Sequence, residues 1–165
     1  MSVPRTKTAG IVLYSDGACL GNPGPGGYAA ILTYGAHQRE LSGGYRLTTN
    51  NRMELMAAIV GLEALKRPCA VTLVSDSEYL VNSVRNGWAI RWRAQGWKRQ
   101  GKAVPNADLW DRFLTLADTH RIVVEWVRGH AGHVENERCD QLATATAAAN
   151  PSAVDVGYET RPSAS

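Results

Sequence analysis

The stretch YSDGACLGNPGPGGYAAIL, residues 14–32, decides how the rest of the chain is read. It sets one acidic residue, Asp16, between an apolar run and a loop that holds Gly21, Gly24, Gly26 and Gly27 within seven residues. A phosphate-cradling loop needs a Lys followed by Ser or Thr after its glycines, and a dinucleotide fingerprint needs a helix opening from them. Here Gly27 is followed by YAAILTY, a strand pattern, so the glycines read as a turn between two antiparallel strands. Asp16 then needs its own explanation, because Asp is depleted in strands.

Working outward, IVLYSD (11–16) is the first strand, and GGYAAILTYG (26–35) and QRELSGGYRL (38–47) continue an antiparallel meander. The period turns helical over TTNNRMELMAAIVGLEALKR (48–67), where Asn51 and Glu54 have capping-box spacing and Pro68 closes the element. AVTLVS (70–75) is a short buried strand running into Asp76, and SEYLVNSVRNG (77–87) is a helix stopped by Gly87. A Trp-rich helix and loop lead to Pro105. Then come a helix over 106–120 capped by Asn106, a strand RIVVEWV (121–127), a loop RGHAGH (128–133) and a last helix over 134–149. The expected fold class is α/β, a mixed five-stranded sheet of three antiparallel and then parallel strands, with helices on both faces. Residues 1–149 read as one catalytic domain. Residues 150–165, bearing Pro, Ser and Gly with few apolar side chains, read as a flexible C-terminal tail whose deletion leaves activity unchanged.

A length of 165 residues allows one full core and not two comfortable domains. No apolar run approaches a membrane span, and MSVPRTKTAG has no apolar block leading to a cleavage site, so neither an anchor nor a signal peptide is expected. Cys19, Cys69 and Cys139 are odd in number and form no CxxC, which suits buried thiols in a reducing cytoplasm. The net charge of +3 is a weak argument for a polyanionic partner, but its distribution is a stronger one. Between Arg85 and Lys102 lie six basic residues, no acidic ones and Trp88, Trp92 and Trp97, the interleaving that a nucleic-acid backbone favours.

Other acids are oddly placed as well. On the helix from Asn51, Glu54 shares a side with Ala58, Gly61 and Leu65, whereas Glu63 lies on the opposite, solvated side. A carboxylate facing the protein is costly without partners or a cation. Asp76 repeats the strand-end position of Asp16, where open sheets with parallel strands build their sites. Asp140 lies one turn beyond Asn136, on the side of Ala143, Thr144 and Ala147. Any one of these acids could be a cap or half of an ion pair; four in separate elements form a hard-ligand site suited to Mg²⁺ or Mn²⁺. His130, His133 and Cys139 match no usual four-ligand zinc spacing. His130, in a Gly-flanked loop, suits proton transfer, and His133 at a helix start suits a structural place.

Taken together, YSDGAC, GNPGPGGYAAIL, TTNNRMELMAAIVGL, VSDSEYL, GWKRQGK, PNADLWDRF and VRGHAGHVENERCDQLA resemble type I ribonuclease H of the bacterial kind, in the same order from about residue 9 to residue 149. The resemblance implies an endoribonuclease that hydrolyses the RNA strand of RNA–DNA hybrids, leaving 3′-hydroxyl and 5′-phosphate ends, with two Mg²⁺ ions per site, or Mn²⁺ in their place. It implies that Asp16, Glu54, Asp76 and Asp140 are the metal-binding acids and His130 the mobile loop histidine. By the same resemblance Gly17, Cys19, Asn22, Thr49, Asn50, Asn51, Glu78, Trp88, Arg93 and Asn136 meet the substrate or support the site, and the Trp-rich basic stretch is a handle gripping the DNA strand. The tryptophans of that stretch also read as a small local core. Two departures stand out: Ala94 and Gln95 interrupt the basic run, and Glu78 adds negative charge where Gln is common. The expected partner is the hybrid, with no membrane and a monomeric chain. The competing readings are a non-catalytic hybrid- or RNA-binding module and a DNA-directed nuclease or integrase with the same sheet; the four acids with His130 disfavour the first, and the TTNNRMEL and GHAGH motifs the second.

Overall fold

β1 (Ile11–Cys19) and β2 (Gly24–Tyr34) pair antiparallel across the glycine turn, with Asp16 opposite Ala29 and Cys19 opposite Gly26. The computed structural model describes residues 10–129 and 132–161. β3 (His37–Thr48) pairs antiparallel with β2, with a register shift between Gly24 and Gly26. Helix α1 (Asn50–Glu63) follows, and then β4 (Ala70–Ser75) lies parallel to β1. Helices α2 (Glu78–Arg85) and α3 (Trp88–Ala94) lead to a two-strand hairpin, β5 (Lys98–Arg99) and β6 (Lys102–Ala103). α4 (Ala107–Thr119), β7 (Arg121–Trp126), α5 (Val134–Ala148) and a short α6 (Val156–Glu159) complete the chain. β7 is parallel to β4, so the five-stranded sheet runs β3-β2-β1-β4-β7. The mixed α/β sheet expected from the sequence is therefore present. Among the described residues no helix is long and apolar enough to cross a membrane.

Alternation along the strands divides the core in two. Leu13, Leu73 and Ala30 face one side, where they meet Leu55, Ile59 and Leu62 of α1 and Trp110 and Phe113 of α4. Ala29 and Ile31 face the other side, against Cys139 and Ala143 of α5. A period of two sends neighbouring residues to opposite faces, so both faces need cover and the helices supply it. α1 is buried almost all round, from Arg52 to Ile59 and again at Gly61 and Leu62. Glu54 thus sits within an enveloped helix, beyond the one-sided stripe that its spacing suggests. Glu63 is on the outer side, as expected, where Arg112 grips it through two bonds of 2.8 Å.

Several local expectations are corrected. α1 ends at Glu63, several residues before Pro68: the Ala64 and Leu65 amides close it by short-range bonds back to Val60, Gly61 and Leu62. Its N-cap is Thr49, whose hydroxyl accepts from the Arg52 amide, so Asn51 is not a capping-box residue. Asn106 does precede α4, but in the left-handed region and without a capping bond; its side chain joins Tyr79 and Arg52 instead. The three handle tryptophans do not make a local core. Trp92 and Trp97 pack on the main core, with the Trp92 ring 6.1 Å from that of Trp110, and Trp88 is exposed. Of the three thiols only Cys139 is fully buried.

The largest correction concerns the segment that reads as a flexible tail. Through Arg161 it is docked: Ala153 accepts a backbone bond from Arg46, and Asp155, 6% exposed, accepts from Thr48 and Arg52. A single buried carboxylate with matched donors outweighs the polar composition around it.

Candidate active site

The site is built where the parallel pairing of β1 with β4 stops; β1 itself runs on to Cys19, so Asp16 lies within the strand and not at its end, where its sequence pattern puts it. Their parallel register pairs Ser15 with Ser75, so Asp16 and Asp76 each come one residue beyond the same rung. Asp16 takes the α5 side of the sheet. Gly17, the next residue, faces α1, and a Cβ there would collide with the backbone of Met53 and Glu54. Glycine therefore lets α1 close onto β1, and the Gly17 amide donates to both Asp16 Oδ1 at 2.9 Å and Glu54 Oε1 at 3.1 Å. Trp126, at the end of β7, donates its indole N–H to the Asp76 carbonyl at 3.2 Å.

Asp16, Glu54 and Asp76 thus bring one carboxylate oxygen each to within 4.8 Å of one another. Burial pushes the Asp16 carboxyl up to about 8, and the charges of Asp76 and Asp140 add to that, against the Gly17 hydrogen bond. Burial also raises Glu54 well above the ordinary carboxylate range, followed by the charges of Asp16 and Asp76. The charges acting on these two groups are themselves acidic, an arrangement that a hard divalent cation relieves. Three oxygen donors from three elements, drawn together and desolvated, fit Mg²⁺ or Mn²⁺ in kind. Asp140 faces the group from α5, near enough to act on Asp16 yet outside the tight trio. Cys139 beside it turns its Sγ toward the Tyr14 carbonyl at 3.5 Å, a core position and not a ligand's.

The remaining sequence-nominated residues are spread over several elements. Asn22, on the exposed glycine turn, accepts from the Asn50 amide at 3.1 Å, which ties that turn to the start of α1. Thr49, Asn50 and Asn51 follow it around the rim, and Asn136 lies on α5 with its Oδ1 buried and unpartnered among the described residues. Cys19 points inward, its Sγ 3.4 Å from the carbonyls of Gly24 and Thr48. Glu78 is exposed in the first turn of α2. Trp88 and Arg93 sit on α3, away from the acids, and Arg93 pairs with Asp118 at 3.0 Å. Arg85 donates to the Val124 carbonyl, so it too is partly engaged. His130 lies outside the described residues.

Sequence reasoning missed two contributors. Trp126 sits in an ordinary strand pattern, and only its three-dimensional reach to Asp76 marks it. Arg52 stands inside the TTNNRMEL motif but is 3% exposed, held by Asp108 and Asp155. Burial works against its charge, and the two carboxylates more than reverse that and keep it protonated. Its isolation among apolar neighbours was the available signal, since a buried guanidinium demands paired acids.

Comparison with known proteins agrees with this geometry. The family model described as RNase H matches residues 8–148. Ribonuclease H of Syntrophus aciditrophicus (strain SB) is 60% identical over 149 residues, covering 90% of this chain and 86% of that protein. Among solved structures, LC9-RNase H1, a type 1 RNase H with the type 2 active-site motif, superposes with a TM-score of 0.77 at 32% identity, covering 92% of this chain and 80% of that one. LC11-RNase H1, solved in complex with RNA/DNA hybrid, superposes with a TM-score of 0.62 at 24% identity, covering 84% and 97%, a likeness of fold. Two acids level across β1 and β4, an enveloped helix bringing a third, and a match over nearly the whole chain lead to one conclusion: the chain belongs to the RNase H family.

Proposed function

We propose that this ribonuclease H hydrolyses the RNA strand of RNA–DNA hybrids at the Asp16–Glu54–Asp76 cluster, with Asp140 as a fourth ligand. The observation that carries the reading is the trio of carboxylate oxygens within 4.8 Å, two of them on buried residues whose carboxyls are pushed up by burial and by neighbouring acids. Divalent ions, when bound, supply neutralisation of phosphate charge, activation of a water and stabilisation of the leaving oxygen. Asp16, Glu54, Asp76 and Asp140 would hold them, Mg²⁺ being the choice that all-oxygen donors favour.

The chain's own groups then set position and proton traffic. The Gly17 amide, bonded to Asp16 and Glu54, fixes both carboxylates before substrate arrives. The indole of Trp126 holds the Asp76 backbone in the same way. Asn22, Thr49, Asn50, Asn51 and Asn136 line the approach as neutral hydrogen-bonding groups suited to sugar edges and backbone, a means of reading 2′-hydroxyls and groove shape without reading bases. His130 is the proton carrier for the departing 3′-oxygen. Water adds to phosphorus as the P–O3′ bond breaks, leaving a 3′-hydroxyl and a 5′-phosphate. Exposed Lys98, Arg99 and Lys102 on the β5–β6 hairpin meet the DNA strand's phosphates. A trio assembled within one chain supports a monomer, and three free cysteines support a reducing cytoplasm.

The test offers matched RNA–DNA hybrid, duplex RNA and duplex DNA with Mg²⁺ or with EDTA. Cutting of only the hybrid's RNA strand, and only with Mg²⁺, is expected. Binding without cutting would favour a hybrid-binding module, and cutting of duplex DNA a DNA-directed nuclease.

A further inference from the structure

Thr49, the N-cap of α1, and Asn50 and Asn51 in its first turn are bracketed by Thr48 and Arg52, and one oxygen outside the motif grips both ends. Asp155 Oδ2 accepts from Thr48 Oγ1 at 2.7 Å and from Arg52 Nε at 2.8 Å, while Asp155 Oδ1 takes Arg52 Nη2 at 2.9 Å. The same guanidinium reaches Asp108 Oδ1 and Oδ2, each at 2.8 Å, at the start of α4. Asp108 comes six residues after Lys102, the last basic residue of the handle, and Asn106, two residues before it, donates to the Tyr79 hydroxyl at 3.1 Å. Arg52 therefore joins three parts: the turn, the base of the handle, and the C-terminal segment. That segment is fitted to the junction. A Cβ at Gly157 would collide with the Asp108 carboxylate and crowd Arg52, so a larger residue there would displace the pair on which α6 lies. Arg46 secures the flank, with its amide on Ala153 at 2.8 Å and its side chain on both Glu159 oxygens at 3.0 and 2.9 Å.

We propose that residues 150–161 are a working part of the hybrid-binding surface, with Asp155 as a positioning residue that sets the Thr49–Asn51 turn relative to the basic handle. The inference rests on the hybrid-substrate reading above. Asp155 itself touches no substrate. It acts by denying the turn freedom that binding would otherwise have to remove, so its removal falls on affinity and not on the chemical step.

The experiment uses the full chain and its Asp155→Asn, Asp155→Ala and Thr48→Val variants. It measures KM and kcat on hybrid with Mg²⁺ well below each melting temperature, together with the salt slope of binding and amide exchange over residues 48–54. Asp155→Ala is expected to raise KM about five- to tenfold with kcat within about twofold, Asp155→Asn to fall between it and the parent, and exchange at 48–54 to quicken. The salt slope stays that of the parent, because every phosphate-binding side chain is retained. Should Asp155→Ala fail to fold, Thr48→Val keeps the ion pair and is expected to raise KM about two- to threefold. A lowered melting temperature with unchanged KM in the folded variants would overturn the proposal and leave Asp155 a stabilising clip. A parent that cuts no hybrid would overturn the substrate reading and this inference with it; a parent that cuts, with variants of unchanged KM, overturns this inference alone.

Discussion

Asp16 and Asp76 stand level with one another, each one residue past the Ser15–Ser75 rung of adjacent parallel strands. Strand register therefore fixes their separation before any side-chain rotamer is chosen. Parallel pairing of β1 with β4 is what sets a residue within β1 beside the residue that follows β4.

Asp76→Asn is expected to fold normally and to lose nearly all cleavage, since it removes one member of the acid trio and leaves the apolar core intact. Circular dichroism and a hybrid-cleavage assay check this. Wild-type turnover in a folded variant would remove the metal scheme. Asp16→Asn is expected to be equally inactive and to melt higher than the parent in EDTA. It takes out a carboxyl that the fold must either protonate or hold as a desolvated charge beside Asp76. A gain of about 1 kcal/mol would appear as a rise of roughly 2–4 °C in Tm for a chain of this size.

Stability without divalent ions should fall as pH rises. Asp16 has its carboxyl raised from 3.8 to about 8, so its protonated form is the one the fold favours. Its contribution is whole below about pH 4 and is lost as pH climbs through about 8. Glu54 shifts in the same direction. Melting in EDTA across pH 5–8.5 is expected to show this decline, and the gain in Tm on adding Mg²⁺ to grow over the same range. A gain independent of pH would mean that the acids do not exchange protons for metal.

Gly17→Ala is expected to damage fold and activity together. The added Cβ has nowhere to go, because what it meets is the backbone of α1 and not the end of a flexible side chain. A cost of at least about 1–3 kcal/mol follows from forced separation of α1 and β1. Chemical denaturation measures the first effect; cleavage at a temperature where the variant is still folded measures the second.

Arg93→Ala is expected to weaken hybrid binding only slightly. Its side chain already pairs with Asp118, and an exposed pair of this kind contributes little in itself. Lys98→Ala with Arg99→Ala should matter more, flattening the plot of log affinity against log salt by roughly one for each phosphate left unneutralised. Fluorescence anisotropy between 50 and 200 mM KCl, an interval on the order of that over which such pairing weakens, separates the two. A larger slope change for Arg93 would return the handle's main grip to α3.

What the residues disclosed, and what they did not, divides along physical lines. Strand alternation around Asp16 and the change to a helical period over residues 48–67 reflect local patterns, so a mixed sheet and the odd placing of four acids were legible. The capping role of Thr49 was not, because Thr48, Thr49, Asn50 and Asn51 are all good caps and only the backbone decides among them. The docking of Asp155 was less legible still. Its partners Thr48 and Arg52 are 107 and 103 residues away, and its own surroundings carry the composition of a loose end. Long-range pairing of a lone carboxylate leaves no periodic trace.

The envelopment of α1 divides the acid cluster into parts that open at different free energies. Glu54 rides on a helix buried from Arg52 to Leu62 with few gaps, whereas α5, which bears Asp140, buries only Cys139, Ala143 and Ala147. Local opening costs least where little apolar surface is covered. Amide exchange around Glu54 would thus follow global unfolding, while the outer face of α5 would exchange sooner, its inner face being held on Ala29 and Ile31. Glu54 is then seated more firmly than Asp140, which rides on the more exposed of the two helices.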